Sequence, residues 1–315
     1  MPTGIVGARG FIGSYLSRYL GARHSGQLRL LLRSLANCEG LEGHELCGGD
    51  LQSRTDCERF AADLKVIYYL AHVNTPVNSD LDPPNDAMAN LVPLLNLLDA
   101  IRRLRTKPHV VYFSSGGAIY TSRPNRIPFR ESDPCLPLSS YGIQKLAAEH
   151  YLRLAAHKGD LTATVLRVGN AYGTLLSPYR MQGLIGVALN SVLQGRPVRV
   201  FGNPNNVRDY VHLEDICAIA MRAAAAPSEF SIANVGSGAG YSVAEVLDLI
   251  AACNGKAVEI QSDESCGSWL TDWVVLDTTR ARLEFGWEPV IDLRSGIAGM
   301  IAGWRHEPRL DAAIV

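Results

Sequence analysis

The sequence predicts an α/β fold, a doubly wound parallel sheet followed by a smaller α/β C-terminal lobe. Three observations predict it. Short apolar runs alternate with helical patterns from Thr3 to Val168, the signature of parallel strands joined by crossover helices. The runs are continuously apolar, as in KVIYYLA at 65–71, which suits strands covered on both faces. After residue 170 the pattern loosens into glycines, prolines and shorter elements. We therefore divide the chain into a first domain, 1–170, and a lobe, 171–315, with parts near 208–238 expected to return to the first domain. A chain of 315 residues, 47% of them hydrophobic, is long enough for both.

Composition excludes several classes of function. Thirty basic and 31 acidic side chains leave a formal charge of −1, so no nucleic-acid partner is expected. Seven cysteines, an odd number without a CxxC pair, argue for reduced thiols and a cytoplasmic protein. The eight histidines show no HExxH spacing, so no metal is expected. No apolar run reaches the ~18 residues of a membrane span, and no signal segment opens the chain, so no membrane role is expected.

The first strand leads into VGARGFIGSYL, where Gly7, Gly10 and Gly13 form GxxGxxG before a helix opening at Phe11. Glycines there permit a tight turn, close approach of a pyrophosphate, and packing of helix on strand. The helix then aims its N-terminal N–H groups at the phosphates. This is the Rossmann dinucleotide-binding pattern, which makes 1–170 a dinucleotide-binding domain and 171–315 mainly a substrate-binding lobe. The second strand, Leu28 to Ser34, ends without the acid that usually meets the 2′-hydroxyl of NAD. Arg33 stands there instead. It meets a 2′-phosphate, which favours NADP, or it stacks on the adenine of NAD or faces water. Asp50 and Leu51 end a third segment, where Asp50 covers the adenine edge or caps the next helix. The run 65–71 is a buried strand followed by a turn-rich loop. A helix is expected from Asp86 to Arg105, with Met88, Leu91, Leu95, Leu98 and Ile101 at helical spacing and Pro93 inside it. Asn90 on this helix is either solvated or makes a structural or cofactor contact.

The strand His109–Phe113 runs into Ser114-Ser115-Gly116-Gly117, at the sheet edge where a catalytic hydroxyl belongs. Ser115 hydrogen-bonds a reacting oxygen there, or the segment is an ordinary Ser/Gly turn. Next comes SSYGIQK at 139–145, just inside a helical run. Tyr141 and Lys145 lie one turn apart on one helix face. A phenol ionises near ~10, and a neighbouring ammonium lowers that value. Tyr141 then exchanges a proton with a substrate hydroxyl or carbonyl, while Lys145 also donates to a cofactor ribose. A further strand, Ala163–Val168, leads to Gly169-Asn170-Ala171-Tyr172-Gly173.

Taken in order, these motifs resemble the extended short-chain dehydrogenase/reductases, in particular the NAD-dependent epimerase/dehydratase family that includes the UDP-glucose 4-epimerases. The resemblance runs through GARGFIG, GDL, LAHVNTPVNSDLDP, NLVPLLNLLDA, YFSSGGAIY, LPLSSYGIQKLAAEHYL, LRVGNAYG, VRDYVHLEDI and LDTTRARLEFGWEP. It implies hydride transfer between bound NAD(P) and C4 of a nucleotide-linked hexose, with Tyr141 as the base. It also implies that Lys145 tunes Tyr141 and holds the nicotinamide ribose. Gly7, Gly10, Phe11, Ile12 and Gly13 form the pyrophosphate turn, Asp50 and Leu51 the adenine side, and Leu70, Ala71 and His72 the loop under the cofactor. Asn170 and Arg208 match positions that hold the sugar-nucleotide phosphates, and dimerisation follows by analogy.

Three departures stand out. Gly116 occupies the position of a catalytic Ser or Thr in many relatives, so Ser115 must serve from one residue earlier. Gly267 falls where UDP-sugar binders usually carry an arginine, and Trp269 or Trp273 shapes a different pocket or packs a core. Arg33 accompanies a missing acid. The primary reading is a nucleotide-sugar 4-epimerase acting in polysaccharide sugar supply. The alternatives are an NADPH-dependent reductase of a nucleotide-linked 4-keto-6-deoxy sugar and a non-catalytic dinucleotide-binding protein.

Overall fold

The structure is a computed structural model that describes residues 1–23, 27–36, 38, 40–41, 43–75, 78–121, 125–177, 179–180, 182–263 and 271–306. Gly267 and Trp269 lie outside the described residues. Seven strands form one parallel sheet, in spatial order Glu45–Gly48 (β3), Leu28–Leu32 (β2), Thr3–Val6 (β1), Val66–Tyr69 (β4), His109–Ser115 (β5), Thr162–Val168 (β6) and Phe230–Val235 (β10). The order reverses between β1 and β4, which creates the crevice where α/β sheets take ligands.

Helices cover both faces, as a buried parallel sheet requires. Phe11–Gly21 (α1) and Leu213–Ala225 (α7) pack on one face around Leu16, Leu20, Ile216 and Ile219. Arg54–Ala61 (α2), Pro83–Leu104 (α3) and Ser140–His157 (α5) pack on the other around Phe60, Leu94, Leu97 and Leu152. A short helix, Gly116–Ile119 (α4), continues directly from β5.

The remaining elements form smaller sheets. Val207–His212 (β9) pairs with Asn170–Tyr172 (β7), Gly240–Ser242 (β11) and Trp273–Val274 (β13). Val198–Phe201 (β8) pairs with Ile260–Asp263 (β12). Leu184–Leu193 (α6), Val243–Asn254 (α8) and Leu293–His306 (α10) enclose a third core of Ile185, Leu189, Val246, Ile250 and Ile297. Thr279–Phe285 (α9) returns to the first core through Phe285. Trp273 is buried beside Phe129, with ring centroids 6.3 Å apart, so it serves packing.

Helix α3 differs from expectation at its start and on its face. It begins at Pro83, because Asp82 caps it by accepting from the Asn85 N–H at 3.1 Å and prolines in the first turn forgo no needed donor. The buried stripe runs through Asp86, Asn90, Leu94, Leu97 and Ile101, while Met88 is exposed. Two polar residues at interior positions shifted the apparent apolar face by one residue. The helix stays continuous through Pro93.

Candidate active site

The C-terminal ends of β1, β2, β4 and β5 bring the Gly7–Gly13 turn, Arg33, the Leu70–His72 loop and Ser115 to one rim of the sheet. The glycine turn is held from within. Gly7 has φ +92°, and a Cβ there would stand 2.8 Å from the Ala71 nitrogen, so the turn lies directly on the 70–72 loop. Leu70 continues the sheet by donating to the Val6 carbonyl at 2.9 Å. Phe11 and Ile12 open α1 and pack their side chains on the first core. Gly10 is exposed at the helix N-cap, with no side-chain cap and no acid in the first turn. The first N–H groups therefore face outward without a competing carboxylate, which fits a pyrophosphate.

The catalytic candidates meet at the end of β5, two strands from β1. Ser139 caps α5 by accepting from the Gly142 N–H at 3.2 Å, which fixes Tyr141 in the first turn. Gly142 allows this helix end to lie against the Ala118 carbonyl, where any Cβ would collide. Tyr141 thereby stands beside Ser115, whose hydroxyl favours the charged form of the phenol. Gly116 cannot supply the hydroxyl, because a Cβ there would stand 2.7 Å from Leu276 Cδ1. Ser114 points away and donates to Glu149 Oε1 at 2.5 Å. Lys145 is 3% exposed and donates from Nζ to the Phe113 carbonyl at 2.9 Å. Its Nζ lies 5.6 Å from the Tyr141 ring centre and 5.1 Å from that of Tyr112.

The electrostatics differ from the sequence expectation that the ammonium lowers the phenol. Burial pushes Tyr141 up to about 12, opposed by the neighbouring Ser115 hydroxyl. Burial pulls Lys145 down to about 7, opposed by the Glu149 carboxylate. Desolvation outweighs the attraction because the ammonium faces a carbonyl and ring faces rather than the phenol oxygen. His72 packs edge-on to Tyr141, with ring centroids 4.5 Å apart, and its buried Nε2 has no hydrogen-bond partner. Burial and then Lys145 hold that imidazole down at about 2, so it stays neutral. Asn90 accepts from the Val73 N–H at 2.7 Å and positions this loop, a structural role.

The outer candidates divide. Arg33 is exposed at the end of β2 and makes no ion pair or hydrogen bond among the described residues. Asp50 does not cap α2; Ser53 does, accepting from the Asp56 N–H at 3.3 Å. Asp50 instead closes a turn on the Gln52 N–H at 2.9 Å and leaves an oxygen on the exposed rim. The Leu51 side chain is buried in the second core, so only its backbone faces the rim. Asn170 lies against Gly117, and its β-ladder partner Tyr210 is two residues beyond Arg208 on β9. Arg208 is half-buried and, among the described residues, donates only to the Val207 carbonyl, at 2.8 Å. Its guanidinium has no carboxylate in contact among the described residues, which suits a phosphate.

Sequence reasoning passed over two residues. Arg9, inside the glycine turn, donates to the Ala36 carbonyl and to Cys38 Sγ at 3.2 Å, so its guanidinium reaches the segment that follows Arg33. A cation within a GxxGxxG turn was its signal. Glu149, one turn past Lys145, was signalled by its i+4 spacing. Among the described residues no group of three or more His, Cys, Asp or Glu side chains is arranged for a metal, and no helix is long and apolar enough to cross a membrane.

The chain is similar to the UDP-glucose 4-epimerase of Mycolicibacterium smegmatis, with 31% identity over 98% of this chain and 99% of that protein. It is also similar to the dTDP-4-dehydro-6-deoxyglucose reductase of Escherichia coli, 29% identical over 77% of this chain and 76% of that one. The crystal structure of Thermus thermophilus UDP-glucose 4-epimerase in complex with NAD superposes with a TM-score of 0.87 at 29% identity, covering 97% of this chain and 99% of that chain. The Thermotoga maritima UDP-glucose 4-epimerase with UDP-glucose gives 0.89 at 26% identity, with the same coverage. Residues 4–236 match the NAD dependent epimerase/dehydratase family, and the chain belongs to it.

Proposed function

We propose that this protein epimerises a nucleotide-linked hexose, a UDP-hexose or a modified relative, at C4 by transient oxidation. The observation that carries the reading is that Tyr141 at the start of α5 and Ser115 at the end of β5 stand beside a buried Lys145, two strands from the glycine turn on β1. When bound, the oxidised nicotinamide supplies the hydride acceptor and a positive charge that favours the Tyr141 phenolate. Tyr141 takes the proton of the 4-hydroxyl and later returns one to the 4-keto oxygen. Ser115 holds that oxygen, and Lys145 donates to the nicotinamide ribose. His72, with Leu70 and Ala71, closes the site against water. Arg208 and Asn170 hold the nucleotide phosphates on the lobe side, and Asp50 with the Leu51 backbone meets the adenine. The division at residue 170, with 208–238 returning to the first domain, then separates cofactor from substrate binding. β10 as an edge strand of the large sheet supports the return.

A second reading is favoured by one observation. Arg33 stands at the end of β2 and Arg9 reaches Ala36 and Cys38 just after it, and Arg33 is not ion-paired with a carboxylate among the described residues. Two cations there suit the 2′-phosphate of NADP. NADP preference accords with net reduction of a 4-keto-6-deoxy sugar, the cofactor exchanging each turnover. Incubation with UDP-glucose and UDP-N-acetylglucosamine without added reductant separates the readings. Appearance of the 4-epimer supports epimerisation, and NADPH loss only with a 4-keto sugar supports reduction. Dinucleotide binding with neither activity defeats both. Dissociation constants for NAD and NADP test the cofactor, and tighter NAD ends the NADP assignment.

The protein is further proposed to be a cytoplasmic homodimer in polysaccharide sugar supply. Support for the dimer is the exposure of Met88 on α3 and of Ile143, Tyr151 and Leu154 on the adjacent α5. Sedimentation velocity tests it.

A further inference from the structure

Beneath the site lies a buried charge cluster that the proton transfer above does not use. Glu149 is 2% exposed. Its Oε1 accepts from Ser114, and its Oε2 accepts from Arg167 Nη2 at 2.7 Å, with Arg167 Nε 3.2 Å from both oxygens. Arg167, on β6, is 4% exposed and donates from Nη1 to the Tyr120 hydroxyl at 2.7 Å and to the Glu131 carbonyl at 3.2 Å. Apolar side chains of similar volume often stabilise a core as well as such a pair does, so stability alone does not explain it.

Two placements suggest what it does. Ser114 is the residue before Ser115, so its bond to Glu149 fixes the strand end that presents the Ser115 hydroxyl. Lys145 is one helical turn from Glu149, whose field favours the ammonium. The other titratable or charged groups facing this pair are Tyr141 on α5, Tyr112 on β5, His72 after β4, Arg167 on β6, and Tyr120 and Cys135 between α4 and α5. Arg167 is spent on Glu149 and Tyr120. Without bound dinucleotide, the neutral His72 and the tyrosines add no anion in the neutral range, so Glu149 is the carboxylate opposing loss of the Lys145 proton.

We propose that Glu149 is a positioning residue for the reaction. From beneath the site it holds Lys145 in the ammonium form and, through Ser114, holds Ser115 against Tyr141. The proposal rests on the reading of Tyr141 and Lys145 given above. Burial leaves Lys145 near neutrality, at about 7, so a modest change in its surroundings alters the ammonium fraction at working pH.

The chain has five lysines, so protein labelled with carbon-13 at lysine Cε gives a countable set of NMR signals. Lys145 is assigned by its loss in Lys145→Arg, and its titration needs no turnover. Glu149→Gln alone leaves Arg167 buried without its carboxylate and risks misfolding, so it is paired with Arg167→Met. In the double variant the Lys145 midpoint is expected to fall by about one pH unit. With Tyr141→Phe as the inactive reference, kcat for 4-epimer formation falls up to about tenfold at pH 8, following the ammonium fraction, with KM little changed. Glu149→Asp, which keeps the charge, restores most of both. A Lys145 midpoint within 0.2 of wild type, on the order of measurement error, overturns the proposal even if kcat has fallen. If wild type turns over no nucleotide sugar but the midpoint moves, the functional reading fails. The positioning role then falls with it, and only the charge coupling stands.

Discussion

Replacing Gly10 or Gly13 by alanine adds one methyl group to the same turn, with opposite expected consequences. At Gly13 a Cβ would overlap the Gly7 carbonyl oxygen and stand 2.9 Å from its carbon and 3.2 Å from Ala8 Cα. These are backbone atoms at the root of α1, so the helix start must retreat by about 1 Å, an overpacking that costs about 3 kcal/mol. The melting temperature should fall by roughly 5–10 °C. Gly10 has φ −71° and ψ 168°, a conformation open to any residue, and its Cβ would meet only the Gly7 carbonyl oxygen at 3.2 Å. Gly10→Ala should therefore melt within about 2 °C of wild type. Its methyl stands on the exposed rim where a pyrophosphate must approach, so the dinucleotide dissociation constant should rise at least about tenfold, or 1.4 kcal/mol. Thermal melts without dinucleotide and calorimetric titration with it separate the two effects. Wild-type affinity in Gly10→Ala would mean that the phosphates lie elsewhere, and an unchanged melt in Gly13→Ala would refute the steric account.

Tyr141→Phe should keep the fold and dinucleotide binding while turnover drops about 10²- to 10⁴-fold, measured by steady-state 4-epimer formation. Lys145→Met should raise the melting temperature of the dinucleotide-free protein at pH 6. The folded value of Lys145 lies below its unfolded one, so the unfolded chain binds the extra proton between about 7 and 10.5 and wild-type stability from this group rises with pH across that window. The advantage of the variant should then shrink toward pH 10, as melts along a pH series will show. Arg208→Ala should raise KM for a nucleotide sugar about tenfold or more with dinucleotide affinity unchanged, checked by kinetics beside calorimetry.

The sheet, its glycine turn and the YxxxK helix were legible because each is written in consecutive residues with a fixed period. What sequence could not give was the balance of burial against charge at Tyr141 and Lys145. That balance depends on where Phe113 and Tyr112 place their carbonyl and ring, and on how little water reaches the helix face. The reason for Gly116 lay 160 residues away, in Leu276. The buried face of α3 was misjudged because Asp86 and Asn90 look like surface residues until their partners are seen. Asp50 read equally well as an adenine contact or a helix cap, and sequence alone could not reject the cap, since Ser53 offers the same chemistry three residues later.

Asp86 carries a consequence for how the chain matures on the ribosome. Its fully enclosed carboxylate gathers Asn74 at 2.8 Å and Asn90 at 2.7 Å from nearby sequence, then Ser140 at 2.8 Å and Gln144 at 2.6 Å from 54 and 58 residues downstream. Until α5 emerges, this anion has lost half its donors and must stay hydrated, which holds open the ground between α3 and the 72–75 loop. Nascent chains stopped before residue 140 should thus be protease-sensitive there, and the arrival of the catalytic helix should close the ground around Asp86.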